Sequence, residues 1–306
     1  MVDMPFSTVT NGAQDKFLEA LVSAVKEGKE VHIITDLDGT LFPFAPNPDD
    51  VQLDPKCGQG LKALQSIKKL QITALTGRFI LRAKEMLADA GDIDIVGSHG
   101  VELLRKEGQI ERYAFSPEQE AQVQGFKEGI HDLESRYKQY GLVVELDKHG
   151  SAGVNVASMD PDLGQTVLEE AKTLLQGYES ESFKIAQEGP NEIEIRPHGF
   201  GKDFGITNFI KPEKDATIFF LCDSLGPHGT DTAAAVILND KSQFDNGHVI
   251  MVMNGRNKVP ESGSPYAPFA VFDSQAHLGA ALVKAAETLS QNGSIKPVQD
   301  QKFAPQ

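Results

Sequence analysis

Short runs of β-favouring residues alternate with longer amphipathic stretches through most of this chain, and this alternation most limits the folds open to it. The β-rich runs lie at 31–35, 72–75, 93–96, 216–221 and 248–253, and the helical patterns at 61–70, from about 78, near 229–238 and at 275–289. Strands that alternate with helices predict a mostly parallel sheet covered by helices on both faces. The predicted fold class is therefore α/β, with a Rossmann-like, mostly parallel core.

The middle of the chain departs from this pattern. Its predicted elements are a polar helix near 116–140, strands near 142–146, 152–156 and 192–195, and a helix near 161–177. Strands and helices in this order predict a separate α+β unit. We place it at residues 112–198, as an insert between residues 1–111 and 199–306, which together form the core domain.

The charge balance limits the partners of the protein. With 29 Lys and Arg against 44 Asp and Glu, the formal net charge is −15, which opposes binding to nucleic acid or anionic membranes. An anionic substrate must then be attracted locally, by a metal ion or a few placed basic side chains. The two cysteines cannot form a disulfide framework, and no apolar run reaches the roughly 18 residues of a membrane span. The sequence predicts a cytoplasmic protein with a small-molecule partner.

The segment Asp36-Leu37-Asp38-Gly39-Thr40 directly follows the first β run. Functional groups gather at the carboxyl ends of strands in open parallel sheets, and residues two apart in an extended chain point the same way. Asp36 and Asp38 can therefore share a face, and two adjacent carboxylates favour a cation or a proton between them. A divalent metal such as Mg²⁺ suits this arrangement. The pentapeptide alone is equally compatible with a solvated, Asp-rich turn.

The same segment resembles the first motif of the haloacid-dehalogenase-like hydrolases, in its phosphatase form. Thr76 at the end of the second strand resembles the second motif, Lys202 at a helix start resembles the third, and Asp223 at the end of a later strand resembles the fourth. Taken one at a time, these residues suit a helix cap, a surface lysine and a turn. Their shared order along the chain favours the family.

The resemblance implies a role for each motif residue in phosphoryl transfer. Asp36 is expected to be the nucleophile that forms an aspartyl-phosphate, and Asp38 the acid that protonates the leaving alcohol and later activates water. Thr76 is expected to hydrogen-bond the phosphoryl oxygens, and Lys202 to neutralise their charge. Mg²⁺ is the expected cofactor, with Asp36, the carbonyl of Asp38 and Asp223 as its ligands.

Two further segments resemble the trehalose-6-phosphate phosphatases within this superfamily. These are Gly97-Ser98-His99-Gly100 and the segment from Asn191 to Pro197. The insert is similar to the α+β cap of the branch that acts on sugar phosphates, where closure excludes water and adds contacts to the sugar. The residues that this resemblance implies for substrate binding are Arg78, Ser98, His99, Glu145, Lys148, Ser151 and Glu194. Trehalose 6-phosphate is the predicted substrate.

The fourth motif departs from the family pattern. Ser224 stands where a second carboxylate is usual, and extra residues separate Asp223 from Asp231. Either metal binding is weaker, or Asp231 reaches back through the longer loop. The spacing of the cap residues also differs. Two alternatives therefore stay open: a phosphatase for another sugar phosphate or a glycosyl-polyol phosphate, and a non-catalytic phosphosugar sensor. Intact Asp36, Asp38, Thr76 and Lys202 oppose the sensor.

Overall fold

A computed structural model of the chain describes residues 6–45, 50–187, 189–227 and 229–291. The strands within these residues are β1 (Val31–Thr35), β2 (Leu70–Leu75), β3 (Asp94–Gly97), β4 (Glu102–Leu104), β5 (Ile110–Arg112), β6 (Val143–Glu145), β7 (Ala152–Asn155), β8 (Phe183–Ala186), β9 (Glu192–Pro197), β10 (Thr217–Cys222), β11 (Asn246–Val252) and β12 (Ala270–Phe272). The α-helices are α1 (Phe6–Lys26), α2 (Pro55–Leu64), α3 (Ile80–Met86), α4 (Pro117–Tyr137), α5 (Pro161–Gln176), α6 (Lys202–Gly205), α7 (Thr232–Asn239) and α8 (Gln275–Gln291).

The larger of two sheets has the strand order β12-β11-β10-β1-β2-β3-β4-β5. All neighbours from β12 to β3 are parallel, and β4 and β5 extend the sheet as antiparallel strands. The expected mostly parallel α/β core is confirmed. Strand β1 lies between β10 and β2, so its carboxyl end, where Asp36 follows, lies in the middle of the sheet edge.

Helices cover both faces of the large sheet because each buried strand is apolar on both sides. In β1, Ile33 packs into the cluster formed with α1, α2 and α8, and Ile34 packs into the cluster on the opposite face, which includes α7. Residues of β10 and β11 alternate between the same two clusters. Continuous apolar runs of this kind are typical of parallel strands buried on both faces.

Helix α1 occupies a region for which the sequence patterns predict no element. Its residues Phe17, Leu18 and Leu21 are buried in the cluster beneath the large sheet, and the Phe17 ring contacts the rings of Phe219 and Phe272 edge-on at 5.5 and 6.0 Å. These contacts close one face of the sheet near its β12 edge. The helix is therefore part of the core.

The smaller sheet is antiparallel, with the order β6-β7-β9-β8. Helices α4 and α5 pack against one of its faces, where Val154, Ile193 and Ile195 are buried. Each helix starts with a proline after a side-chain cap, supplied by Ser116 for α4 and by Asp160 for α5. We keep the name cap for residues 112–198, and its boundaries remain a proposal.

Element boundaries differ from the sequence expectations by a few residues. Helix α2 ends at Leu64 rather than continuing to Leu70, which opens β2, and α3 begins at Ile80 rather than near Arg78. Apolar residues at helical spacing run across the turn between α2 and β2, which hides the boundary. Within the described residues, none of the helices combines the length and the hydrophobicity that crossing a bilayer requires.

The imidazole of His248 on β11 makes the stability of the core sensitive to pH. Burial and nearby Lys241 lower the pKa of His248 to about 4, and the ring stacks on Phe219. Below its ordinary pKa the unfolded chain binds the proton first, so stability falls between about pH 6.5 and 4. Between pH 7 and pH 5, the free energy of unfolding of wild type should fall by up to about 2 kcal/mol more than that of His248→Phe. Urea unfolding at the two pH values measures this difference. Equal losses would contradict this.

Candidate active site

The two motif aspartates follow β1 at the carboxyl edge of the large sheet. Asp36 extends the pairing of β1 with β10, because its N–H donates to the carbonyl of Leu221 at 2.9 Å, and its side chain is buried. Gly39 then turns the chain with φ of 78°, and a β-carbon at this position would collide with the Asp223 carboxylate. Glycine is required here because only it combines positive φ with this close approach.

Arg78 holds the side chain of Asp38. Its Nε donates to Asp38 Oδ2 at 2.7 Å, and its Nη2 donates to Asp38 Oδ1 at 2.6 Å. Thr76 is buried at the end of β2, and its Oγ accepts the N–H of Arg78 at 3.1 Å. A two-point guanidinium–carboxylate pair fixes both distance and orientation. Arg78, expected to contact substrate, therefore orients the expected acid and also lines the cavity described below.

Lys202 joins the carboxylates of two different loops. It is the first residue of α6, and its Nζ lies 2.7 Å from Asp36 Oδ1 and 2.5 Å from Asp231 Oδ1. Burial disfavours the ammonium, but Asp231 and Asp36 outweigh this effect and raise the pKa of Lys202 above its usual value. Lys202 therefore stays protonated beside Asp36 and can neutralise negative charge there.

The long loop after β10 brings Asp231 back to the strand end. Asp231 Oδ2 accepts the N–H of Ser224 at 2.9 Å and that of Asp223 at 3.3 Å. The hydroxyl of Ser224 accepts the N–H of Thr230 at 3.3 Å, so it stabilises the loop itself. Of the two possibilities left open by the sequence, the structure shows the second: a carboxylate from further along the chain reaches the site.

Three buried carboxylates cluster at this edge. Oxygen atoms of Asp36, Asp223 and Asp231 all lie within 4.8 Å of one another, close enough to hold a metal ion. Asp223 Oδ2 also accepts a hydrogen bond from Asn254 Nδ2 at 2.6 Å. The side chain of Asp38, expected among the metal residues, lies outside this cluster and pairs with Arg78 instead. The expected contribution of the Asp38 carbonyl stays a prediction.

The electrostatics of the cluster favour a cation. Burial raises the pKa of Asp36 well above its usual value; Lys202 opposes this, and Asp231 and Asp223 add to it. Burial and Asp231 raise the pKa of Asp223 to about 7. Carboxylates crowded in this way are costly to ionise unless a positive charge joins them. The donors are all oxygen atoms, which suits a hard divalent cation.

A second polar group connects the core to the cap. Glu194 on β9 lies with Oε2 2.9 Å from His99 Nε2 and accepts a hydrogen bond from Lys148 Nζ at 2.9 Å, and Lys148 also lies 2.6 Å from Glu145. Burial favours protonated Glu194, but His99 and Lys148 hold its pKa well below its usual value. Burial likewise opposes the charge on Lys148, but Glu194 and Glu145 raise its pKa. The structure thus brings together four of the expected substrate contacts.

Ser98 and Ser151, the other two expected contacts on this side, are fully buried. The hydroxyl of Ser98 donates to Glu102 and accepts the backbone N–H of His149 at 3.2 Å, which ties the core to the cap. Ser98 and His99 have φ of 48° and 58°, a conformation that non-glycine residues rarely adopt, and the turn places His99 opposite Glu194. The Ser151 hydroxyl has no hydrogen-bond partner among the described residues.

A cavity of about 220 Å³ lies between α3 and the face of the cap sheet that is opposite α4 and α5. The residues that line it are Arg78, Phe79, Arg82, Val143, Val144, Glu145, Asp147, Lys148, Gly153, Val154, Asn155, Ser158 and Glu192. Arg78 lines this space and also holds Asp38, so one side chain connects the cavity with the expected acid. A lining that combines apolar and charged side chains, and a position between two units, are typical of a ligand site.

The comparisons with known proteins agree with this geometry. A family model described as trehalose-phosphatase matches residues 34–258, more than half of the chain. The chain belongs to the trehalose-phosphatase family. The expected family is thereby confirmed, and the matched range contains every residue discussed at this site. Among similar proteins, trehalose-phosphate phosphatase B of Arabidopsis thaliana is 26% identical over 256 residues, 79% of this chain, and the match spans 63% of the Arabidopsis protein.

Solved structures support the fold of this family member. The C-terminal domain of Candida albicans trehalose-6-phosphate phosphatase matches with a TM-score of 0.62 at 19% identity, over 88% of this chain and 96% of that one. The C-terminal domain of the Candida albicans trehalose synthase regulatory protein matches with a TM-score of 0.63 at 12% identity, over 89% and 98%. Because one of these proteins is named a phosphatase and the other a regulatory protein, the fold alone does not separate catalysis from regulation.

Several residues of the site carry no strong sequence signal. Asn254 and Asn257 lie after β11; Asn257 Nδ2 donates to the carbonyl of Asp223 at 2.8 Å. A strand followed by Asn-Gly-Arg-Asn resembles an ordinary turn, although its position at the same sheet edge is a usable signal. Arg82 lies in the first turn of α3, and Arg78 lies just before that helix; both line the cavity, and a second arginine this soon after the Thr-Gly-Arg segment is a usable sequence signal.

Proposed function

We propose that this protein is a magnesium-dependent phosphatase that hydrolyses trehalose 6-phosphate to trehalose and phosphate through an aspartyl-phosphate on Asp36. The main support for the proposal is the position of Asp36 in a chain that belongs to the trehalose-phosphatase family. Asp36 lies beside Lys202, within the carboxylate cluster, and two residues before an Asp38 that Arg78 holds in place.

The first step needs a carboxylate nucleophile and an acid. Asp36 attacks phosphorus, the bond to the sugar oxygen breaks, and Asp38 gives its proton to that oxygen, which leaves as the alcohol. Lys202 and Thr76 stabilise the negative charge on the phosphoryl oxygens during transfer. Lys202 is suited to this because its contacts with Asp36 and Asp231 keep it protonated.

The second step releases phosphate. Asp38, now a carboxylate, takes a proton from water as that water attacks phosphorus, and the bond between phosphorus and Asp36 breaks. Arg78 would orient Asp38 as a carboxylate for this proton transfer, since its two hydrogen bonds fix the plane of that group. When Asp38 is protonated for the first step, Arg78 would hold it through its other oxygen alone. At the end of the cycle Asp36 is a free carboxylate and Asp38 is protonated again.

The carboxylate cluster supports Mg²⁺ as the cofactor. Asp36, Asp223 and the carbonyl of Asp38 would hold it, with Asp231 close by. Mg²⁺ prefers oxygen donors and commonly takes only one or two carboxylates. When bound, it would supply positive charge against the phosphoryl oxygens. Asn254 and Asn257 would orient Asp223 toward it.

The free thiols of Cys57 and Cys222 support a reducing compartment, in line with the expected cytoplasmic location.

The polar group in the cap supports a sugar as the leaving group. Glu145, Lys148 and Glu194 are charged acceptors and donors beside the cavity, and sugar hydroxyls both donate and accept hydrogen bonds. His99 joins them from the core, so the group lies where both units meet. We propose that these four side chains contact the sugar ring that bears the phosphate.

Replacing Glu194 with Gln tests this sugar-binding group. Gln keeps the volume but removes the charge that faces His99 and Lys148. We expect the ratio of kcat/KM for trehalose 6-phosphate to kcat/KM for p-nitrophenyl phosphate to fall by about tenfold or more, mainly through KM. Glu181→Gln, at an exposed cap position, is the matched control. An unchanged ratio in Glu194→Gln would remove Glu194 from sugar binding.

The proposal is tested with a panel of phosphate esters: trehalose 6-phosphate, glucose 6-phosphate, sucrose 6-phosphate, glucosylglycerol phosphate and p-nitrophenyl phosphate, each with Mg²⁺. We expect the highest kcat/KM with trehalose 6-phosphate. A clear preference for another ester would keep the chemistry and reassign the substrate. Release from none of them, together with saturable binding of trehalose 6-phosphate in calorimetry, would favour a phosphosugar sensor.

A further inference from the structure

The cap face that lines the cavity carries two parallel rows of side chains. Strand pairing places Glu145 opposite Gly153 and Gly153 opposite Glu194, and these three residues form the proximal row. The same pairing places Val143 opposite Asn155 and Asn155 opposite Glu192, and these form the distal row. Residues two apart on a strand lie on the same face, so both rows face away from α4 and α5.

The two rows are separated by about 7 Å, since each strand advances two residues between them. This is about the length of one pyranose ring. Gly153 contributes no side chain to the proximal row, so the sheet surface there is open to the cavity. The cavity lining includes Glu145 and Gly153 of the proximal row and all three residues of the distal row. One continuous space therefore has two places at which a ring can contact the sheet.

The direction of the substrate follows from the contacts between the core and the cap. His99 meets the proximal row at Glu194, and Ser98 meets the backbone of His149, just before β7. On the core side, Arg78 contacts Asp38. The distal row lies on the far side of the proximal row from the His149 contact, because Asn155 follows Gly153 along β7. A substrate with its phosphate at Asp36 would extend toward the distal row.

The chemistry of the distal row differs from that of the proximal row. In the proximal row, Glu194 is buried and paired with Lys148 and His99, and the partly exposed Glu145 is paired with Lys148. In the distal row, Val143 is 40% exposed, and Asn155 and Glu192 are partly exposed. Asn155 Oδ1 accepts the N–H of Ala157 at 2.9 Å, and within the described ranges its side-chain NH₂ donates to no protein group. The row thus offers a donor, a carboxylate acceptor and an apolar surface.

We infer that Asn155 and Glu192 recognise the second, unphosphorylated ring of a disaccharide phosphate and so determine its preference over a monosaccharide phosphate. The Asn155 NH₂ donates to a hydroxyl oxygen of that ring, Glu192 accepts from a hydroxyl, and Val143 packs against the carbon–hydrogen face. This inference rests on the proposed function, because it assumes that the phosphate end is cleaved at Asp36. To the proposed function, the inference adds the residues that recognise the second ring.

The test compares a two-ring and a one-ring substrate in the full-length chain with Mg²⁺. For Asn155→Ala and for Glu192→Gln, we expect the ratio of kcat/KM for trehalose 6-phosphate to kcat/KM for glucose 6-phosphate to fall by about five- to tenfold, chiefly through KM. Asn191→Ala and Glu181→Gln change the same residue types at exposed positions outside the cavity, and should keep the wild-type ratio. Melting curves establish that all four variants fold.

Failure of the inference and failure of the proposed function look different. If wild type prefers trehalose 6-phosphate but both distal variants keep its ratio, the function stands and the inference is overturned. If kcat/KM of both distal variants falls by the same factor on the two substrates, the row does not act specifically on the second ring, and the inference is again overturned. If wild type itself shows no preference for trehalose 6-phosphate over glucose 6-phosphate, the proposed function fails, and the inference fails with it.

Discussion

Asp36→Asn should abolish phosphate release, with kcat lower by about four orders of magnitude or more, while the protein still folds. The amide keeps the size of the carboxylate but cannot form the covalent bond to phosphorus. The fold should not suffer, because the substitution removes one of three crowded, buried carboxylates and leaves Asp231 as a partner for Lys202. Steady-state phosphate release and a thermal melt measure the two effects separately.

The control for this substitution is Asp132→Asn, on the exposed side of α4. It should keep the wild-type rate. A melting temperature equal to or above that of wild type in Asp36→Asn would agree with relief of repulsion within the cluster. An Asp36→Asn protein that releases phosphate at the wild-type rate would overturn the nucleophile assignment, and a variant that fails to fold would overturn the electrostatic account of the cluster.

Lys202→Met should produce the second large effect, a loss of both stability and activity. Lys202 is buried and is the ammonium that lies between Asp36 and Asp231. Its removal leaves buried carboxylates without a compensating charge, which costs about 3–5 kcal/mol. Urea unfolding monitored by circular dichroism measures this loss. We expect added Mg²⁺ to recover part of it, because a bound cation neutralises the same cluster.

Two further variants make the Lys202 result specific. Lys172→Met changes an exposed lysine on α5 and should cost little. The double variant with Lys202→Met and Asp231→Asn removes the buried charge together with one of its partners. It should be more stable than Lys202→Met alone, since less negative charge is left unpaired. If the double variant is less stable by the sum of the single losses, the two residues are not coupled in the way the structure indicates.

The core of the site could be predicted from the sequence because parallel strands end at a common edge. Asp36, Thr76 and Asp223 each follow a β run, and Lys202 starts a helix, so topology alone brings them together. The contacts between them needed the structure. Nothing in the spacing of Asp38 and Arg78 predicts a two-point ion pair, because the direction of a long side chain depends on its surroundings.

The loop after β10 shows how a departure from a motif is resolved by folding. Ser224 occupies the expected carboxylate position, yet two backbone N–H groups draw Asp231 back to the strand end. The sequence is equally compatible with a carboxylate close to Asp223 and with one further along the chain, because loop closure costs little more as a loop lengthens. The path of the loop in the structure shows that Asp231 is the one that lies at the site.

Contacts in the cap were the hardest to predict. The pairing of β6, β7 and β9 places Glu145 and Glu194 on one face, but only the docking of the cap on the core brings Glu194 to His99 and buries Ser98 beneath His149. These two contacts join residues 95 and 51 positions apart, and local periodicity carries no information about them. Helix α1 was missed for a related reason, since its burial depends on β12 and α8.

The central claim is that this chain is a metal-dependent phosphatase for trehalose 6-phosphate, and one measurement tests it most directly. Phosphate release from trehalose 6-phosphate is followed with purified wild-type protein, first with Mg²⁺, then with excess chelator, and then after Mg²⁺ is restored. The account predicts steady release that the chelator stops and that restored Mg²⁺ recovers. Release that continues unchanged in chelator, or no release under any of the three conditions, would contradict it.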